Sequence, residues 1–507
     1  MNPTSKLSAG VGALLAIILT VVALLVVRSP NVPATGGAAG PGAGTAGVGA
    51  SPGLGRKPPR TATFEDVQTG RVSDAPTADK AQSKLWFAGG TWWAVMLEPK
   101  SQTFRIHGLD WATQEWKDTG TEVDARPFAK ADALWDGTKL YIASAGTLGY
   151  RGHAALLMRY SFDAAKATWT RDRGFPVQMT DHGVGSIVID RDGTGKLWAA
   201  YLDHGNLVVN RSIGDDARWG KPFNLPIAGV DATAARATLV AAGGRVSVIW
   251  SNSAEDAVYL AVHNDGAADE QWASGKTVVA GAREADDHLN AKAAVVDGET
   301  RIYVAVKTSL DVRPNRNEND AQMLLLEIRP DGTVRKYLAG RVRDQHTRPV
   351  ILIDGETHTL YLLATSPFGG GRVYYKRTSL EQISFVAGRG SIIVESDADP
   401  KINDATATKQ TLNAETGLVV LAFDRTTGRY LHGVLNLGGP DWKAESRRGE
   451  GGGAGASPGA GAPDASAGAA ESLPVEEPTA NPLASETPPP SEAPAVLLPT
   501  IAPSPGG

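Results

Sequence analysis

Between residues 61 and 447, apolar and polar positions alternate in short runs separated by turn residues, and a helical period is almost nowhere sustained. That alternation is the signature of β-strands. One turn recurs along the whole stretch, at Gly89-Gly90, Asp136-Gly137, Asp192-Gly193, Gly243-Gly244, Asp297-Gly298, Asp354-Gly355 and Thr416-Gly417. Asp-Gly and Gly-Gly suit it because tight hairpins need positive φ. The second members fall at 90, 137, 193, 244, 298, 355 and 417, a near-constant spacing that implies seven copies of one unit. Each copy reads as strand, tight turn, strand, looser strand and aromatic strand, as in "GSIVIDRDGTGKLWAAYLDHGNLVVNRSIGDDARW". Four strands repeated seven times predict an all-β, seven-bladed β-propeller over 61–447. An array of β-sandwiches would need about twice the residues per unit.

The flanks follow different patterns. Lys6 precedes an uncharged run, Ala9–Val27, closed by Arg28. Its length matches the roughly 20 residues that cross a bilayer core, so residues 1–28 are expected to form a transmembrane signal anchor. The alternative is a cleaved signal peptide, with "NVPA" ending at Ala34 as the nearby cleavage candidate. In the anchor reading Lys6 stays inside, Arg28 mildly violates the positive-inside tendency, and the propeller lies outside the cytoplasm. Cleavage would make the protein secreted. Residues 29–60 are a Gly/Ala/Pro linker, and residues 448–507 are a Pro/Ala/Gly/Glu tail, both too poor in large apolar side chains to repay ordering.

Composition narrows the chemistry. A net charge of −5 over 507 residues gives no global basic field, so no nucleic-acid partner is expected. The absence of Cys excludes disulfides, thiolate catalysis and cysteine zinc sites. No cofactor is evident, but a divalent metal on His and carboxylates remains open. A monomer is expected.

Aligning the copies on the shared turn places a cation near the start of six of the seven first strands: Lys80, Lys130, Arg236, Lys292, Arg348 and Lys409. The third copy has Ser186 in this slot. Just upstream stand Asp79, Asp124, Asp181 with His182, Asp231, Asp286 with Asp287 and His288, Asp344 with His346, and Asp404. First strands of a propeller surround its axis, so these groups should form a ring at a central funnel. One reading is a set of ion pairs that clamps blade to blade. The other is a site for a glycan or another anion, formed by Lys130, Arg236, Asp287, His288, Lys292, His346, Arg348 and Lys409. His182, Tyr201 and His204 share the third copy and are candidate acid/base groups. The histidines at 182, 288 and 346, with Asp181, Asp286 and Asp287, are candidate metal ligands.

"SFDAAKATW" (Ser161 to Trp169) resembles a degenerate Asp-box, the Ser-x-Asp-x-Gly-x-Thr-Trp turn of sialidase-like propellers. "DHGVGSIVIDRDGTGKLWAAYLDHGNLVVNRS" resembles the repeat of BNR-type propellers, some of which are lyases acting on uronate-containing glycans. With "DDHLNAK", "HTRPVILID" and "NDATATKQTLNAETGLVVLA", most of 124–437 is similar to a family of exported bacterial propellers without an established activity. The resemblance implies the fold. It does not imply sialidase activity, because "FRIH" (Phe104 to His107) has His where sialidases have Pro and sits late in its copy. Most cation slots are also Lys, which lacks the bidentate fork of Arg. The expectation is a membrane-tethered binding module for an extracellular glycan. The alternatives are a carbohydrate-active enzyme, a polysaccharide lyase or glycoside hydrolase using His/Tyr and Arg/Lys, and a protein-interaction scaffold. Convergence of His182, Tyr201 and His204 near a cation would favour the enzyme, and cations consumed by Asp partners would favour the scaffold.

Overall fold

The computed structural model describes residues 61–437, apart from 71–74, 80, 227–233, 253, 274–275, 282, 313, 368 and 399–400. They form seven antiparallel sheets, each a blade of four principal strands. Blade 1 runs through Leu85–Ala88, Thr91–Leu97, Phe104–Asp110 and Glu115–Asp124. The first strands of blades 2 to 7 are Lys130–Trp135, Ile187–Arg191, Ala234–Ala242, Leu289–Val296, Thr347–Asp354 and Ile402–Thr406. Each lies beside the first strands of its neighbours, so these seven line the axis.

All seven recurring turns connect the first and second strands of their blades, which is where the sequence pattern puts them. The backbone explains the residue choice. Gly243 and Gly244 have φ of 61° and 75°, and Asp297 and Gly298 have 52° and 77°, the paired positive values that a two-residue hairpin demands. Second strands are sandwiched between neighbouring blades. Leu418–Asp424 is buried at every position, and its unbroken apolar run "LVVLAF" reflects burial on both faces. Trp198 and Trp250, on the second strands of blades 3 and 4, are fully enclosed and anchor one shared core cluster.

Two features belong to no repeat. The seventh sheet is completed by the strand Thr61–Gln68, which pairs with Arg429–Leu435 and so joins the two ends of the described chain in one blade. The segment from Ala75 to Lys84 leads into blade 1 across the inner strands of other blades. Gln82 Nε2 donates to the Ile187 carbonyl at 2.8 Å, and Ser83 N–H donates to Asp132 Oδ1 at 2.8 Å. The Gln82 carbonyl accepts from Thr406 Oγ1 at 3.4 Å, Ala81 packs with Val188 and Ala237, and Asp79 pairs with Arg236. The segment therefore touches blades 2, 3, 4 and 7 at once and occupies the axis as a plug.

Among the described residues, no helix is long and apolar enough to cross a membrane. The run Ala9–Val27, the linker 29–60 and the tail 448–507 lie outside the described residues, as do residues 438–447 of the expected propeller.

Candidate functional site

The aligned cations do approach the axis, where most meet a partner from another part of the ring. Asp132, 0% exposed, is the hub. Its Oδ1 accepts from Ser83 N–H, while its Oδ2 accepts from Ile189 N–H at 2.8 Å and pairs with Lys409 Nζ at 3.0 Å. One side chain thus ties blades 2, 3 and 7 to the plug. Arg348 Nε donates to Asp404 Oδ1 at 2.8 Å, joining blade 6 to blade 7. Arg236 pairs with Asp79 of the plug and lies 3.6 Å from Asp287. Lys292 Nζ donates to the Thr408 carbonyl at 2.8 Å and lines a cavity of about 220 Å³ beside Lys409 and Asp190. Lys292 is half-buried with its ammonium surrounded by protein, and that burial, with Lys409 nearby, lowers its pKa to about 7.

His288 donates from the same ring edge towards Asp286, at 2.9 Å, and Asp287, at 2.7 Å. Asp286 in turn pairs with Lys307 at 2.8 Å. His346 corrects the expectation of a funnel histidine. It is 1% exposed and bonds the Arg389 carbonyl at 3.0 Å. A Cβ at Gly340, in the outermost strand of blade 5, would come within 2.6 Å of its Nδ1. The imidazole is packed between blades 5 and 6, and burial lowers its pKa to about 4. Lys80 and Asp231 lie outside the described residues.

The third blade is different. Where the other copies carry a cation, Ser186 borders a cleft of about 320 Å³. Asp79, Lys130, Tyr201, His204 and Arg236 also line it, so the plug and blades 2, 3 and 4 all contribute. Tyr201, on the second strand Leu197–Asp203, is 4% exposed, and its hydroxyl has no hydrogen-bond partner among the described residues. Burial, with Asp203 and Asp181 nearby, pushes its pKa up, so the phenol keeps its proton. His204 stands in the following turn at φ 49°, a region His tolerates better than most side chains, with 69% of its side chain exposed. Its Nδ1 lies 2.7 Å from Asp203 Oδ1.

His182 approaches from the segment before the first strand. Its Nδ1 is 2.6 Å from Asp181 Oδ1, and its Nε2 is 3.0 Å from the same Asp203 Oδ1 that His204 meets. Asp203 first, then Asp181, holds its pKa above the usual value against a smaller effect of burial. The His182 and His204 ring centroids are 5.9 Å apart. His182 and His204 thus meet at Asp203, and Tyr201 and His204 line the same cleft as Lys130 and Arg236.

Chemically, the cleft offers a protonated phenol, an exposed imidazole and two cationic side chains. The carboxylate among its lining residues is Asp79, which Arg236 already holds. Asp132 and Asp203 carry more of the arrangement than the sequence pattern suggested, whereas Asp79 stood among the acids aligned upstream of the cations. The adjacency of Asp203 to His204 in "LDHG" was the one signal available for Asp203. Arg105 of "FRIH" lies on the third strand of blade 1, paired with Asp118 at 2.9 Å, away from the axis.

No family model matches the chain, and no curated protein matches it. Among solved structures, an ulvan lyase of polysaccharide lyase family PL25 is similar at 12% identity and a TM-score of 0.46, over 72% of this chain and 95% of that one. Hydrazine synthase from Kuenenia stuttgartiensis is similar at 10% identity and a TM-score of 0.44, over 72% and 97%. The periplasmic gluconolactonase of Pseudomonas aeruginosa is similar at 13% and 0.40, over 66% and 92%. Likenesses at these TM-scores carry no argument about the cleft or its chemistry. The BNR-type repeat stays a resemblance of sequence.

Proposed function

We propose that the chain is an exported, membrane-tethered propeller that binds an acidic saccharide in the cleft of blade 3. The observation that carries this reading is the cleft itself, lined by Tyr201, His204, Lys130 and Arg236 beside the slot where Ser186 replaces a cation. A phenol in a cleft wall can donate to a ligand oxygen that enters. Lys130 and Arg236, the latter already holding Asp79, make the wall cationic and favour an acidic over a neutral ligand, and His204 offers a polar contact at the rim. The axis itself is a weaker candidate, because the plug fills it and Asp132 and Asp404 engage Lys409 and Arg348.

The test is a calorimetric titration of the full-length protein with acidic and neutral oligosaccharides of matched length. Ser186→Arg, which fills the vacant slot, should weaken binding of the acidic ligand at least tenfold. Tyr201→Phe removes a single hydrogen bond of about 1 kcal/mol and should weaken it about fivefold. Equal binding of neutral oligosaccharides would remove the acidic preference. Unchanged affinity in both variants would move the ligand out of the cleft.

A catalytic reading is favoured by one specific observation. The carboxylate in the cleft wall is tied up by Arg236, so the pair of free acids that glycoside hydrolysis requires is not what the cleft presents. Tyr201 and His204 instead suit proton transfer in the elimination of a uronate. Growth of unsaturated-uronate absorbance with time, absent in Tyr201→Phe, would establish a lyase. A flat trace during saturable binding would leave a binding module.

A further inference from the structure

We propose that His182, Asp203 and His204 form a site for a first-row divalent transition metal such as Zn²⁺ at the mouth of blade 3. The three offer ligand atoms that all lie within 4.8 Å of one another. Asp203 Oδ1 stands 3.0 Å from His182 Nε2 and 2.7 Å from His204 Nδ1, so one carboxylate oxygen is the meeting point of two imidazole nitrogens. Tetrahedral zinc with bonds of about 2.0 Å separates neighbouring ligand atoms by roughly 3.3 Å. The two nitrogen–oxygen distances would have to open by about 0.3 and 0.6 Å to reach that spacing. It would replace the protons that now bridge the rings to Asp203.

The surroundings match what such a site needs. Asp181 Oδ1, 2.6 Å from His182 Nδ1, is the outer carboxylate that fixes a ligating imidazole in the tautomer with Nε2 free. The His204 side chain is 69% exposed, which leaves room for water or a ligand group in the remaining positions. The ion-pair partners of Asp203 among the described residues are the two histidines, with no Lys or Arg to compete. The second His/Asp cluster makes the contrast. Asp286 is paired with Lys307 at 2.8 Å, and Asp287 lies 3.6 Å from Arg236, so cationic side chains already sit where an ion would. Two histidines and one carboxylate favour zinc or a similar transition ion over Ca²⁺ or Mg²⁺, which prefer all-oxygen sites.

This inference is independent of saccharide binding, since the probe is the metal alone. Equilibrium dialysis of the full-length protein against ZnCl₂, followed by elemental analysis, should give one zinc per chain. His204→Ala, an exposed position that the fold does not need, and Asp203→Asn should each weaken binding more than tenfold. Asp286→Asn should leave it unchanged. Cobalt substitution should give a visible d–d spectrum that the His204→Ala protein lacks. No stoichiometric zinc, or the same affinity in His204→Ala and Asp203→Asn with circular dichroism unaltered, would overturn the site. Loss in Asp286→Asn alone would assign the metal to the other cluster.

Discussion

Lys84 is a charge the fold hides almost completely. It is 1% exposed, and its Nζ donates to the Ala131 carbonyl at 3.0 Å and to Gln82 Oε1 at 3.2 Å. Burial lowers its pKa to about 7, although Asp132 and Asp79 oppose the shift. The unfolded chain keeps an ordinary lysine near 10.5, so between about pH 7 and 10 it binds a proton that the folded chain does not. Stability must then rise with pH across that window, by up to about 1.4 kcal/mol per pH unit for each such lysine. Urea denaturation at pH 7, 8 and 9 should show this rise, and Lys84→Met should flatten it relative to wild type. Identical slopes would show that Lys84 stays charged in the fold. Asp132→Ala should cost about 3 kcal/mol, because it leaves Lys409 unpaired and two backbone N–H groups without their acceptor. Circular dichroism melting checks that figure. At this scale the sequence was half legible. The slots of Lys409, Arg236 and Arg348 emerged from alignment on the turn. Their consumption did not, because Asp132 in "KADALW" looks like any polar strand position, and only the ring brings Lys409 to it.

The strand Thr61–Gln68 owes its place to what it covers. Asp66 and His432 bond at 2.8 Å with side chains 2% and 0% exposed, and Phe64 stacks on the same imidazole at 4.9 Å. Burial pushes the Asp66 pKa up, with His432 opposing. Removing one member of a buried pair strands the other, so His432→Ala should cost about 3 kcal/mol. Hydrogen exchange should then show earliest loss of protection in Arg429–Leu435. Loss elsewhere first would mean that the pair does not hold the closure. Without the covering strand, Arg429–Leu435 becomes an unpaired apolar edge, and a chain lacking residues 61–68 should self-associate, as light scattering would reveal. Strands inside the blades were readable because each repeats a turn whose φ values dictate its residues. "TATFEDVQ" and the plug were not, since each occurs once and gains meaning only from partners hundreds of residues away.

Across the whole molecule, the number of blades and their order were legible, and the course of the axis was not. Seven turns at near-constant spacing imply a closed ring with a central opening, and nothing in a periodic pattern foretells that the chain leading into blade 1 fills it. The same limit explains why the cleft surfaced only as a missing cation at Ser186. Its walls come from the plug and three blades, while the sequence shows one slot at a time. The joined ends have a mechanical consequence. Thr61 pairs with Leu435, so the described chain enters and leaves the ring at the same end of two antiparallel strands. A load applied between residues 61 and 437 would not shear their ladder as a whole. It would unzip it rung by rung from Thr61 towards Gln68, a mode that yields at low force because each backbone bond carries the load in turn. Blade 7, which supplies Asp404 and Thr408 to Arg348 and Lys292, would give way next. Tension along the terminal segments is thereby converted into opening of the ring at one seam, with the other six blades still folded.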